Sequence, residues 1–339
     1  MGSKEDLENL VLISSTKDNN FALNVANYLK KSLCETKKIG FKDSDLKTKI
    51  ADKETVRGRD VYLIMTFTPT LAERLQELIV WTDALVSGAA KSLTFVLPYF
   101  FGSRQDRKTE RGEPVNIRAY INALRGAAGG DRTAFITVDI HSEQSLALAR
   151  EFDNVKPLPL YASDIRSNYG TDVVIVSPDA GGVRKCESLR EMLQTEGLAW
   201  IAKTRPEVGK SEVLGLSGHN VEGKTAVIVD DIIDGGGTIV NAYETLMKNG
   251  AKNVVVYATH LLLTENATEK LKSLEYAKFI GTDTVLQPDS VLSKLGIRIL
   301  PISYVVAEAI RRKHLAISTL ALYTEKVVEI CGLGKYIKK

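Results

Sequence analysis

Short apolar, β-branched runs recur along this chain at Val11–Ser15, Val61–Thr66, Leu93–Leu97, Ala134–Asp139, Val173–Ser177, Thr225–Val229 and Asn253–Thr259. Between them lie stretches with Leu and Ala at helical spacing, at 21–32, 70–87, 116–126, 183–196 and 238–249. Runs of that length read as strands buried on both faces, and apolar residues at i, i+3, i+4 and i+7 read as amphipathic helices. The alternation predicts an α/β protein with mainly parallel sheets.

Two segments share one pattern. NIRAYINALRGAAGGDRTAFITVDIH (116–141) and TIVNAYETLMKNGAKNVVVYATH (238–260) each run helix, Gly-Ala turn, strand, then a histidine, His141 and His260. A weaker echo links 11–29 with 173–193, so duplication of one α/β unit is expected. The proline-rich DNVKPLPLYASD (153–164) is the best boundary, giving domains 1–155 and 156–339.

Composition narrows the class without naming a function. A chain of 339 residues, 44% hydrophobic and 26% charged, can bury two ordinary cores. Its 45 basic and 42 acidic residues are interspersed and leave a net charge of +3, so neither nucleic acid nor a membrane surface is expected as a partner. Cys34, Cys186 and Cys331 are scattered without metal spacing, which suits reduced structural thiols. The polar start MGSKEDLENL lacks the pattern of a secretion signal, and a cytoplasmic location is expected.

The densest chemistry is VDDIIDGGGTI (229–239). A glycine loop between a strand and a helix lets backbone N–H groups converge beside the positive end of the helix dipole, an arrangement that cradles phosphate. Asp230 and Asp231 cannot bind that phosphate, but they can accept hydrogen bonds from sugar hydroxyls or hold a metal. Together they point to a phosphorylated sugar. Just upstream, GHNVEGKT (218–225) spells a nucleotide-binding P-loop, yet a strand and not a helix is expected after it, so the match is rejected.

Other segments are ambiguous alone. PYFFGSRQDRKTERGEP (98–114) crowds Arg104, Arg107, Lys108 and Arg111 around Gln105 and Asp106, which suits a polyphosphate and a purine edge or a solvated basic loop. VDIHSEQ (138–144) and VSPDAGG (176–182) set Asp139, His141 and Asp179 at strand ends, where metal contact and simple local bonding both fit. IAKTRPEVGKSEV (201–213) reads as a loop whose cations, Lys203, Arg205 and Lys210, could close over a reacting phosphoryl group.

Taken in order, VDDIIDGGGTI, SRQDRK, VDIHSEQ, VSPDAGG and KTRP resemble the ribose-phosphate pyrophosphokinases, over roughly residues 9 to 323. The resemblance implies two duplicated phosphoribosyltransferase-type domains, each a mainly parallel sheet flanked by helices, with the active site between them. It implies transfer of the β,γ-diphosphoryl group of MgATP to the anomeric hydroxyl of ribose 5-phosphate, giving phosphoribosyl pyrophosphate and AMP, with Mg2+ as cofactor. By matching position, Asp234, Gly235, Gly236, Gly237 and Thr238 would hold the 5-phosphate, and Asp230 and Asp231 the ribose hydroxyls. Arg104, Gln105 and Asp106 would bind ATP, as would FKDSD through Phe41, Asp43, Ser44 and Asp45, a loop that in this family reaches a neighbouring subunit's adenine. A homo-oligomer follows, a dimer or a larger assembly such as a hexamer. His141 and Asp179 match metal-associated positions, and Lys203 and Arg205 the catalytic pair that stabilises the transferring group.

This chain departs from the family's usual pattern in places. Gly235 stands where Thr is usual, which removes one hydroxyl donor, worth about 1 kcal/mol if it made an ordinary hydrogen bond. The adenine loop reads Asp43, Ser44, Asp45 in place of acid, Gly, Glu; Thr204 replaces a basic residue and Ala180 a frequent His. A non-catalytic regulatory paralogue would tolerate such changes, whereas a base-salvage phosphoribosyltransferase would have no use for SRQDRK and KTRP. The segment after about residue 315 is longer than expected, and a C-terminal helix is the simplest reading.

Overall fold

The computed structural model describes residues 7–15, 19–43, 45–51, 53–67, 71–130, 133–207 and 210–337, with the side chains of 203–207 and 210–214 outside the described set. Ser44 also lies outside the described residues. The chain forms two compact units, residues 1–156, 284–286 and 303–320 in the first and 157–283, 287–302 and 321–339 in the second.

The first unit is built on five parallel strands in the order β1 (Leu10–Ser14), β4 (Asp60–Ile64), β5 (Ser92–Val96), β6 (Thr133–Val138) and β7 (Phe152–Val155). The runs Leu93–Val96 and Thr133–Val138 are buried throughout, as strands covered on both faces require. Helices α1 (Asn20–Leu29), α2 (Leu71–Ser87) and α3 (Asn116–Ala127) belong to this unit. Asn19 caps α1 by accepting from the Ala22 amide at 3.3 Å. An antiparallel pair, β2 (Thr36–Gly40) and β3 (Leu46–Ile50), forms a separate small sheet.

The second unit holds seven strands in the order β10 (Lys210–Gly218), β9 (Gly197–Glu207), β8 (Val173–Ser177), β11 (Thr225–Ile233), β12 (Asn253–Leu261), β13 (Ala277–Thr282) and β14 (Arg298–Leu300). All neighbours are parallel except β9 and β10. Its helices are α4 (Leu158–Tyr169), α5 (Val183–Leu193), α6 (Gly237–Lys248), α7 (Ala267–Lys272), α8 (Asp289–Lys294), α10 (Lys326–Ile330) and α11 (Gly334–Ile337). Two mainly parallel sheets flanked by helices are the architecture expected of the duplicated pattern.

The chain path differs from the expected uninterrupted second domain. Helix α9 (Ser303–His314) returns to the first unit and packs on α1, with Val305, Val306, Ala309 and Ile310 buried. Asn24 Nδ2 donates to Ser303 Oγ at 3.1 Å, and the Tyr28 hydroxyl donates to Glu308 at 2.9 Å. Periodicity marks an apolar helix face but does not say which face it covers. The end of the chain forms two short helices, α10 and α11, instead of one, tied to α4: Asn168 donates to the Ile337 carbonyl at 2.8 Å, and Arg166 pairs with Glu325. Arg298 adds a bond to the Tyr336 carbonyl at 3.1 Å.

Candidate active site

The acidic strand of the second unit runs further than its apolar core suggests. Strand β11 reaches Ile233, so Asp230 and Asp231 lie within it and not beyond its end. Strand β8 pairs with it only as far as Ile228, while β12 continues alongside to Ile233. One edge of the acidic segment is thereby left without a strand partner from β8, which is where a ligand can meet it. Gly236 then takes a left-handed backbone, φ 78°, a conformation that glycine adopts without strain and that opens helix α6. No side chain caps that helix, so its first amides point outward beside exposed Gly237 and Thr238.

Other elements complete this corner. Asp179 follows β8, and its Oδ1 accepts from the Gly181 and Gly182 amides at 2.9 and 3.1 Å, which shapes the turn into α5. Burial pushes the Asp230 carboxyl well above its ordinary range, helped by the charge of Asp231, a side-chain hydrogen bond with it and the charge of Asp179, while Lys185 pulls it back. Asp179, Asp231 and Lys185 thus bear electrostatically on Asp230. Lys185 was not legible as a site residue, because its place on α5 relative to the acids depends on the sheet order. Thr264 and Lys270 were also missed: Thr264 Oγ1 donates to Asp234, and Lys270 Nζ donates to the Gly235 carbonyl at 3.2 Å.

The cationic segment 201–213 was expected as a loop, yet it forms most of the antiparallel pair β9 and β10, with Lys203 opposite Val213 in register. The Lys203 and Arg205 side chains lie outside the described residues. The rejected P-loop match at 218–225 does lead from β10 into β11, as its rejection required.

In the first unit, Tyr99, Phe100 and Phe101 bury themselves after β5, Phe100 against Phe152 at 5.3 Å and Phe101 against Tyr120 at 5.2 Å between ring centres. Gly102, at φ 77°, must stay bare, since a Cβ there would lie 2.6 Å from the Tyr120 ring. With that anchor, Arg104 is exposed and Gln105 and Asp106 are half-buried. Asn116, at the start of α3, fixes Gln105: its amide bonds the Gln105 carbonyl at 3.0 Å, and its side chain donates to Oε1. Asp139 is buried with a left-handed backbone, φ 43°, and His141 beyond it is exposed.

Phe41 and Asp45 close the tip of the β2–β3 pair. The Phe41 amide donates to the Asp45 carbonyl at 2.8 Å, Asp43 accepts from the Asp45 amide at 3.2 Å, and the Phe41 ring is 52% exposed. This pair is tethered to α2 by Glu77, only 2% exposed, which takes Lys38 at 3.1 Å and Arg74 at 2.9 Å. Among the described residues no three His, Cys, Asp or Glu side chains converge as a ready metal cage. None of the described helices is long and apolar enough to cross a membrane.

Two parallel-sheet units, one with paired acids late in a strand that leads into a glycine loop and an open helix terminus, define an α/β protein of the phosphoribosyltransferase type. Two family profiles match the chain: the N-terminal domain of ribose phosphate pyrophosphokinase over residues 10–129, and the phosphoribosyl synthetase-associated domain over 200–324. The ribose-phosphate pyrophosphokinase of Hyphomonas neptunium is 36% identical over 303 residues, covering 89% of this chain and 95% of its own. That of Thermosipho africanus is 34% identical over 314 residues, 91% and 96% of the two chains. The crystal structure of phosphoribosylpyrophosphate synthetase from Mycobacterium smegmatis superposes with a TM-score of 0.79 at 30% identity, over 90% of this chain and 99% of that one. This chain belongs to the ribose-phosphate pyrophosphokinase family, and it is an enzyme of that class.

Proposed function

We propose that this enzyme transfers the β,γ-diphosphoryl group of ATP to the anomeric hydroxyl of ribose 5-phosphate, forming phosphoribosyl pyrophosphate and AMP. The observation that carries the reading is the corner of the second unit where Asp230 and Asp231 lead into left-handed Gly236 and the uncapped start of α6. In this reading the amides of 235–238 and the Thr238 hydroxyl hold the 5-phosphate, and the acids accept from the ribose hydroxyls. AMP formed from ATP and ribose 5-phosphate by the pure protein tests it; a chain that makes none is a non-catalytic relative.

The first unit supplies the donor in this scheme. Arg104 offers bidentate contacts to phosphate oxygens, Gln105 and Asp106 flank it, and Phe41 offers a ring face for adenine with Asp43, Ser44 and Asp45 beside it. Because that loop would serve a neighbouring copy, the enzyme works as a homo-oligomer. Glu77→Gln is expected to loosen β2–β3 from α2 and raise the KM for ATP several-fold while that for ribose 5-phosphate holds, as steady-state kinetics with each substrate varied would show. An equal rise in both would remove the tether from the donor side.

The acids fit a divalent cation. Magnesium needs only one or two carboxylates when phosphate oxygens and waters complete its shell, and Asp230 and Asp231 are adjacent carboxylates near the end of β11. His141 in the first unit and Asp179 in the second are the positions that would contact Mg2+, which when bound would supply charge neutralisation for the transferring group. Lys203 and Arg205 stabilise the same charge as the bond to the leaving AMP lengthens, and no protein nucleophile is needed. Asp230→Asn should weaken ribose 5-phosphate by about tenfold, the loss of one hydrogen bond to a charged acceptor, with little change for ATP. Calorimetric titration of each substrate decides it, and matched losses would refute the division of labour.

A further inference from the structure

The phosphate loop carries a neighbour that the proposed reaction does not explain. The segment after β12 holds two non-glycine residues with left-handed backbones, Leu263 at φ 48° and Glu265 at φ 52°. Such conformations are unfavourable for residues with a side chain and persist where surrounding structure imposes them. Contacts with the glycine loop impose them here. Thr264 bonds Asp234, Lys270 bonds the Gly235 carbonyl at 3.2 Å, and Ala267 and Leu271 lie under Gly236, 3.6 and 3.5 Å from where its Cβ would be. The turn and the helix α7 that follows it are thus bound to the loop, with the Glu265 carboxylate beside it. Glu265 Oε2 stands 3.4 Å from the position of a Cβ on Gly235.

A carboxylate beside Gly235 opposes a phosphate dianion bound at that loop, since like charges repel. Gly235 does not have a left-handed backbone, so its lack of a side chain is not a demand of the turn. We infer that Glu265 sets affinity at the sugar-phosphate site: its negative charge beside the loop lowers affinity for the 5-phosphate, and ionic screening weakens that effect. This rests on the reading of 234–238 as the phosphate loop. Lys270, anchored to the loop carbonyl, keeps the turn in place so that the charge cannot retreat with its backbone.

Titration calorimetry of ribose 5-phosphate into the full-length protein tests this, with wild type, Glu265→Gln, Glu265→Gly and Thr238→Ala compared at low salt and at 0.5 M salt. Glu265→Gln and Glu265→Gly should each bind about fivefold more tightly than wild type at low salt, and the gap should close at high salt, where a charge is screened within about 4 Å. Thr238→Ala should bind more weakly. If Thr238→Ala weakens binding and both Glu265 variants match wild type, Glu265 is only a strained turn residue and the inference fails. If Thr238→Ala has no effect, the phosphate-loop reading itself fails. A purely structural role would show as a higher unfolding midpoint for Glu265→Gly, from relief of the left-handed backbone, without a change in affinity.

Discussion

Lys203→Ala is expected to lower turnover by at least about a hundredfold, close to 3 kcal/mol of transition-state stabilisation, while the KM values for both substrates stay within about twofold. The reason lies in phosphoryl chemistry. Bond breaking spreads negative charge over the migrating group, and a cation aimed at that charge acts in the transition state more than in the ground state. Lys203 sits on β9 opposite Val213, in an antiparallel pair at the edge of the second sheet. An edge pair can reposition without disturbing the parallel core. Single-turnover measurement of AMP release separates chemistry from binding; wild-type turnover in the variant would remove Lys203 from the reaction.

Asp164→Ala is expected to destabilise the second unit by about 3–5 kcal/mol, because it removes the buried carboxylate that pairs half-buried Arg298 and accepts from buried Tyr257. Asp164 on α4 has no exposed surface, and its Oδ1 accepts from Arg298 Nη1 at 2.8 Å. The Tyr257 hydroxyl donates to the other carboxylate oxygen from β12. Burial, and then the Asp164 charge, hold the Tyr257 phenol far above its ordinary range, so it remains a donor. Arg298 in turn bonds the Tyr336 carbonyl of α11. One carboxylate therefore joins α4, β12, β14 and the chain's C-terminal segment. A fall of about 6–15 °C in the thermal midpoint is the expected reading for a unit of this size. Asp164→Leu combined with Arg298→Met should recover much of it, since a well-packed apolar pair can replace a buried ion pair. A shift below about 2 °C for Asp164→Ala would show that the network does not hold the unit together.

Much of this protein was legible without coordinates, and for identifiable reasons. The alternation of apolar runs and helical spacing marked β1, β4, β5 and β6 of the first sheet and β8, β11 and β12 of the second, because a strand covered on two faces is apolar along its length. The corner of strand, acids, glycines and helix start was legible because its parts are contiguous within Thr225–Lys248. The same holds for Asp179, whose bonds to Gly181 and Gly182 are local. Strand β11, by contrast, runs past Val229 to Ile233, because backbone pairing with β12 carries it through two aspartates that their own propensity would have excluded.

What the amino-acid order determined, then, is whatever depends on neighbours along the chain: the strand–helix alternation, the glycine turn after the acids, the aromatic anchor before Arg104, and the family those motifs belong to. What only tertiary structure decided depends on pairs far apart in the chain. Helix α9 joins α1 across some 280 residues, as the Tyr28 to Glu308 bond shows. Lys185 bears on Asp230, Glu77 ties a distant pair of strands to α2, and Glu265 is set against Gly235 thirty residues upstream. The physical reason is that burial and charge act through space, so a residue's partner is set by how sheets and helices pack, which local pattern does not record.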